Sequence, residues 1–319
     1  MTALRPSNRG NWSSLGLRGL FIGVLILLLS CVDEQAPEQE IEQLDENKIV
    51  LTSVGPIYSI TSALLEGTSI VAINLPERAR SLAAQPTWFA KQSEPFYETF
   101  NKATAVISMG NLWHLDSLYL TVREQNISVV NIDATLPYSS QLTGVSVVNS
   151  PSTGEVSPYF WLSPANIIRS AKIVSNDLVR LFPDEADQIR SNEQQLSSDL
   201  LDAKRDFELA LANTDAYVYA LADEFAYLTT EFGVFVEDYF VKQDINWTEE
   251  DLQNLTSVLI ESAVPVVIHK WEPSDEIQAA IAAAGSQLVV LDTFETSTAD
   301  VMELATANLE KITAAFPAL

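Results

Sequence analysis

Between Asp184 and Ala212 the chain runs without a proline or a glycine, and Ile189, Leu196, Leu200, Ala203, Phe207 and Leu211 recur mostly at three- and four-residue steps among charged residues. That is the period of one helix face. Pro183 stands just before it, where a helix tolerates proline. At 1.5 Å per residue the rod is about 43 Å long, the length of a lobe or more. Whatever flanks it must fold as two bodies tied by one stiff element, a clamp with limited hinge motion.

The flanks read as the same pattern written twice. Before the rod, Ile49–Val54 is a buried-strand run, Tyr58–Leu65 is helical and closed by Gly67, and Ser69–Ile73, Ala105–Ser108 and Ser128–Ile132 are further strands. After it, Ala216–Leu221 and Val234–Asp238 are strands around a helix over Phe225–Phe232 that Gly233 ends. Thr248 opens another helix with Asp251 three residues on, resembling a capping box. Val264–His269 and Gln287–Leu291 are strands, and Asp300–Ala315 is a closing helix. Strands alternating with helices give a parallel sheet covered on both faces. The expected fold is α/β: two lobes, each a parallel sheet flanked by helices, joined by one long backbone helix.

The first 33 residues are different material. Arg5, Arg9 and Arg18 precede the apolar run Leu20–Leu29, then Ser30 and Cys31. Ten apolar residues are too few to cross a bilayer, which takes roughly 20. Basic start, apolar centre and small residue form an export leader. Leu28-Leu29-Ser30-Cys31 resembles a bacterial lipobox, so Cys31 is expected to be lipidated and to become the new N-terminus. Val32–Asn47 is acidic with no apolar period and reads as a tether. The expected layout is leader 1–30, tether 31–47, N-terminal lobe 48–183, linking helix 184–212 and C-terminal lobe 213–319. The product would sit on the periplasmic or cell-surface side, held to membrane by lipid only.

Cys31 is the sole cysteine, which excludes an intrachain disulfide framework. Loss of the leader removes three arginines and no acid, taking the net charge from −25 to −28. So acidic a chain repels nucleic acid and anionic lipid. The remaining residues, about 290, suffice for two ordinary domains.

Several segments, in order, resemble the zinc- and manganese-binding proteins of bacterial ABC importers. Ser53-Val54-Gly55-Pro56-Ile57-Tyr58 is similar to that family's first strand and turn. Pro158-Tyr159-Phe160-Trp161-Leu162-Ser163-Pro164 resembles its Asp-Pro-His-x-Trp-Leu-Asp-Pro segment. Phe225-Ala226-Tyr227-Leu228, with Phe232-Gly233-Val234, resembles the helix after its third ligand, and Leu291-Asp292 its acidic strand end. The resemblance runs from about Ile49 to Ala315. It implies a two-lobed solute-binding protein working with an ABC permease as a monomer. Zinc or manganese would be its cargo, held by three His, or two His and a Glu, with an Asp.

This chain departs from that ligand set. Arg80–Gln85, ahead of Pro86-Thr87, carries no ligand where the first His is expected. The second His is Tyr159, and the third position falls on Ala222, with Asp223 and Glu224 beside it; Asp292 remains. The only histidines are His114 and His269. His269 closes a strand, as Asp292 does, and strand ends of this kind face the ligand crevice; His114 follows the strand Ala105–Ser108. A rebuilt cation site would therefore draw on His114, Tyr159, His269 and Asp292 with Asp223 or Glu224. Against it, Lys270 puts a cation beside His269, and Asp292 before Thr293 can cap a turn.

The alternative is a family-derived lipoprotein that lost metal and binds an organic ligand or a protein partner, with Trp88, Phe89, Trp113, Tyr159, Phe160, Trp161, Trp271 and Phe294 near the cleft. A purely structural surface lipoprotein is a third possibility. Enzyme readings find no residues: there is no glycine-rich phosphate loop, no Gly-x-Ser-x-Gly elbow and no thiol beyond Cys31, and Asp223 and Glu224, adjacent in sequence, would not face each other in a helix.

Overall fold

The computed structural model describes residues 48–76 and 80–316. The leader, Cys31 and the tether lie outside the described residues. The chain divides into two units, 1–42 and 43–319, and the described fold is that of the second.

The N-terminal lobe is built from β1 (Ile49–Thr52), α1 (Gly55–Leu65), β2 (Val71–Asn74), α2 (Gln85–Gln92), α3 (Tyr97–Lys102), β3 (Ala103–Ser108), α4 (Leu118–Gln125), β4 (Val130–Asp133) and α5 (Pro164–Leu181). The long helix is α6 (Ala186–Leu211). Beyond it come β5 (Tyr217–Ala220), α7 (Ala226–Phe232), β6 (Phe235–Tyr239), α8 (Glu249–Ser262), β7 (Val266–His269), α9 (Asp275–Ala283), β8 (Gln287–Val290) and α10 (Val301–Ala315). Each lobe holds a four-stranded parallel sheet, ordered β2-β1-β3-β4 and β6-β5-β7-β8. The second order repeats the first. In each, the chain reverses direction of winding between the two central strands, and the crevice at their carboxyl ends is where such folds hold ligands.

Both faces of the central strands are buried, as parallel sheets require. Val50, Ala105 and Ile107 point into a core shared with α1, α5 and α6; Leu51 and Val106 point into an outer core with Trp88, Phe89 and Phe100. The C-terminal lobe alternates alike: Val218, Ala220, Val266 and Ile268 face the shared core, while Tyr219 and Val267 face an outer core closed by Leu255, Leu259 and Ile281. The shared core is what joins the lobes. Helix α6 packs on α1, α5 and α10, and α10 also reaches α1, so two helices run between the halves.

Strands β2, β4 and β7 begin two residues later than the apolar runs suggest, and β5 and β6 one residue later. The runs at Ser69 and Ser128 become strands at Val71 and Val130 because a side chain first turns the backbone: Thr68 Oγ1 accepts from Ile70 N (3.2 Å) and Asn126 Oδ1 from Ser128 N (3.1 Å). Helix α1 starts at Gly55, with Pro56 in its first turn. The Thr248–Asp251 capping box is present, each side chain bonded to the other's backbone N–H.

Polar contacts also fasten the lobes. The Trp161 indole, fully buried, donates to Thr293 O (2.8 Å), and Tyr227 Oη donates to Ser157 O (3.1 Å). Glu231 on α7 accepts from Ala165 N (3.1 Å) and from the Ser163 hydroxyl at the start of α5. At Gly55 the approach is closest: a Cβ there would lie 2.0 Å from the Ser297 carbonyl oxygen, so only glycine fits.

Candidate functional site

The crevice between the lobes is bounded by segments that leave the strands at their carboxyl ends. From the C-terminal lobe, β5 runs into Asp223 and Glu224, β7 into Lys270, and β8 into the turn Asp292–Ser297. From the N-terminal lobe come Leu82, ahead of α2, and Tyr159, ahead of α5.

The turn after β8 is shaped by its own side chains. Asp292 Oδ1 accepts from Phe294 N (2.7 Å), and Phe294 adopts φ 56°, a left-handed conformation unusual for a bulky residue. Its ring is buried in the shared core. With Phe294 so anchored, the next residue, Glu295, meets the other lobe. Its Oε2 accepts from Leu82 N (3.2 Å) and, at 3.5 Å, from the Tyr159 hydroxyl.

Tyr159 is the hub of the crevice. Burial, then the negative charges of Glu295, Glu224 and Asp223, drive its phenol well above the ordinary tyrosine range. It is therefore a neutral donor, in contact with Glu295 and within electrostatic reach of Glu224 and Asp223. Each of them has a partner. Asp223 accepts from the hydroxyls of Ser150 and Ser152. Glu224, 8 % exposed, accepts on Oε1 from the Lys270 ammonium, while its buried Oε2 has no hydrogen-bond partner. Lys270 also lies 4.7 Å from the centre of the Trp271 ring. Among the described residues, the Lys270 pair is the only ion pair these three carboxylates make.

His269 is 2 % exposed, with its Nε2 at 3.5 Å from Asp244 Oδ1 and its Nδ1 without a hydrogen-bond partner. Burial foremost pushes its pKa down, against the pull of Asp244 and, more weakly, Glu224. It is a neutral imidazole tilted at 56° against Trp271, whose indole is held by Asp244 Oδ2 (3.1 Å).

Of the six residues singled out as cation ligands, Tyr159, Asp223 and Glu224 share one electrostatic neighbourhood. His269 borders it through Glu224. His114 is exposed on the turn after β3, and Asp292 is exposed and caps its own turn. Neither is among the charges acting on Tyr159. Among the described residues no three His, Cys, Asp or Glu side chains are arranged to hold a metal ion. Glu295 is the site residue that sequence reasoning missed. The available signal was local: an Asp-x-Phe turn that pins Asp292 on the backbone and carries the residue after Phe294 inward. Of the eight aromatics expected near the cleft, Trp88, Phe89, Trp113, Phe160, Trp161 and Phe294 are buried in the cores, while Tyr159 is half-buried and Trp271 exposed.

A sequence model of the family described as "Zinc-uptake complex component A periplasmic" matches residues 50–315. No curated protein matches the chain. Among solved structures, a mutant of FpvC from Pseudomonas aeruginosa is similar with a TM-score of 0.66 at 18% identity, over 84% of this chain and 98% of that one. A metal-free point mutant of the periplasmic metal-binding protein of Candidatus Liberibacter asiaticus also gives 0.66, at 14% identity, over 84% and 99%. A zinc-bound deletion mutant of ZnuA gives 0.64 at 16%, over 85% and 98%. The Liberibacter protein also has a cadmium-bound structure, and another of its point mutants a manganese-bound one; FpvC has one in complex with nickel.

Proposed function

The chain belongs to the family of periplasmic zinc-uptake components, and from that premise we propose that it is the solute-binding component of an ABC importer that captures a divalent metal cation with a rebuilt, oxygen-rich site. The reading is carried by Glu295, which reaches Tyr159 from the other lobe, and by Glu224, whose buried Oε2 has no hydrogen-bond partner, with Asp223 next to it in the chain. Three carboxylates outnumber the single ammonium of Lys270, so the site carries a net negative charge that favours a cation.

Donor chemistry narrows the cargo. Zinc is best served by nitrogen and sulfur. Carboxylate and hydroxyl oxygens suit harder ions such as manganese. The donor set is Glu295, Glu224 and Asp223, with Tyr159 as a neutral hydroxyl; His269 stands behind Glu224 as a buried base. Asp292 belongs to the turn that carries Glu295, and His114, on the exposed turn after β3, is outside the donor set. Loading requires internal partners to give way, because each carboxylate is occupied by the protein's own donors.

The rest of the chain fits a tethered receptor. Residues 1–30 are its leader, Cys31 the lipidated terminus, 31–47 the tether, 48–183 and 213–319 the lobes and 184–212 the link. Among the described residues no helix is long and apolar enough to cross a membrane. The protein works as a monomer and hands its cargo to a permease.

The test is calorimetric titration of the purified mature protein with manganese and with zinc. The expected result is one saturable site with manganese bound more tightly than zinc. Glu295→Gln weakens it at least tenfold, while His114→Ala, on an exposed turn, leaves it unchanged. Absence of binding in the wild type, or equal binding in Glu295→Gln, overturns the reading.

A further inference from the structure

The Lys270–Glu224 pair has a chemistry that metal capture alone does not use. Glu224 is buried, and a buried carboxylate with no counter-charge is strongly disfavoured. In the cation-free protein something must neutralise it. Lys270 does so from the end of β7, reaching across to the segment after β5. The ammonium covers one Glu224 oxygen only, and the other faces no donor. The ammonium also rests near the Trp271 ring, itself fixed by Asp244. A carboxylate and an aromatic face are two groups that recognise a bare cation. The Lys270 side chain is 25% exposed, so its flexible stem has a way out to solvent.

We propose that Lys270 is a tethered stand-in for the cargo: its ammonium holds the cation position on Glu224 until a metal ion arrives, and loading exchanges one for the other. The inference rests on metal capture at this site. A metal ion on the free Glu224 oxygen would repel the ammonium on the other, so loading favours withdrawal of the ammonium. The lysine then sets specificity. A monovalent ion gains no more from Glu224 than the tethered ammonium does, whereas a divalent ion gains more and displaces it. The same competition lowers affinity and eases release to a permease.

Two substitutions move the competition in opposite directions. Lys270→Met keeps the length and removes the charge; manganese then binds at least tenfold more tightly than to wild type. The metal-free variant melts below wild type, and manganese raises its melting temperature more than it raises that of wild type. Lys270→Arg offers both Glu224 oxygens a planar fork and binds manganese at least tenfold more weakly. If one variant fails to fold, the other still decides. Wild-type affinity in both variants, or a Lys270→Met defect that manganese does not rescue, makes Lys270 a packing residue and overturns the proposal while metal capture stands. No manganese binding by wild type or either variant overturns both.

Discussion

The two lobes are the same sheet built twice, with the strand orders β2-β1-β3-β4 and β6-β5-β7-β8, yet they differ in the residues just beyond equivalent strands. In the N-terminal lobe β1 leads into Ser53, Val54 and Gly55, and β3 into Met109; all are buried and none is charged. In the C-terminal lobe the equivalent strands β5 and β7 lead into Asp223, Glu224 and Lys270. The N-terminal lobe gives the crevice a wall: a backbone N–H at Leu82, a phenol at Tyr159 and a glycine at Gly55 that lets the lobes meet. The C-terminal lobe gives it charge. Topology fixes where a crevice forms, and the segments after the strands decide which lobe does the chemistry.

The largest effect is expected where the wall and the charged lobe are joined. Trp161 is fully buried in the shared core and hydrogen-bonded across the crevice. Trp161→Ala is expected to cost about 3–5 kcal/mol, measured by chemical denaturation, and to loosen both lobes. Trp88→Ala, in the outer core of one lobe, is the matched control. Equal protection of the C-terminal lobe from hydrogen exchange in the two variants would show that the lobes are not coupled through Trp161.

A smaller effect separates the lobes by pH, because Asp116 in one and His269 in the other respond oppositely. Asp116 is buried in the turn after β3; burial foremost raises its pKa to about 6, although Met109 N and Leu118 N donate to it. Its unfolded value is near 3.9, so its contribution is full below about pH 4 and is lost as pH rises through 6, a change of about 3 kcal/mol. His269 has a lowered pKa. Its contribution is full above the unfolded value of about 6.5 and is lost as pH falls below it. Urea denaturation from pH 4 to 8 checks both. Both act below about pH 6.5 with opposite signs: Asp116→Asn should remove the fall in stability as pH rises from about 4 to 6, and His269→Gln the fall as pH drops below about 6.5. Profiles parallel to wild type would contradict the assignment.

Much of this architecture is legible in the sequence because parallel strands buried on both faces leave continuous apolar runs, as at Val50-Leu51 and Val266-Val267-Ile268. The long helix is legible because α6 buries one face, through Ile189, Leu196 and Leu200, and leaves the other wet. Legibility fails where side chains act on the backbone. Thr68 and Asn126 delay two strands, and Asp292, whose position suggests a ligand, spends its carboxylate on Phe294 N. The same turn brings in Glu295, whose role depends on one left-handed residue and on a contact with Leu82, far away in the sequence. Neither has a periodic signature. His269 is legible as a strand end, but its turn toward Asp244 depends on the segment after β6.

The most direct test is anomalous scattering at the manganese edge from crystals of the mature protein grown with manganese. The account expects one peak in the crevice, bonded to Glu295 and Glu224, with the Lys270 ammonium withdrawn. Peaks only at surface carboxylates, with Lys270 still seated on Glu224, would contradict it.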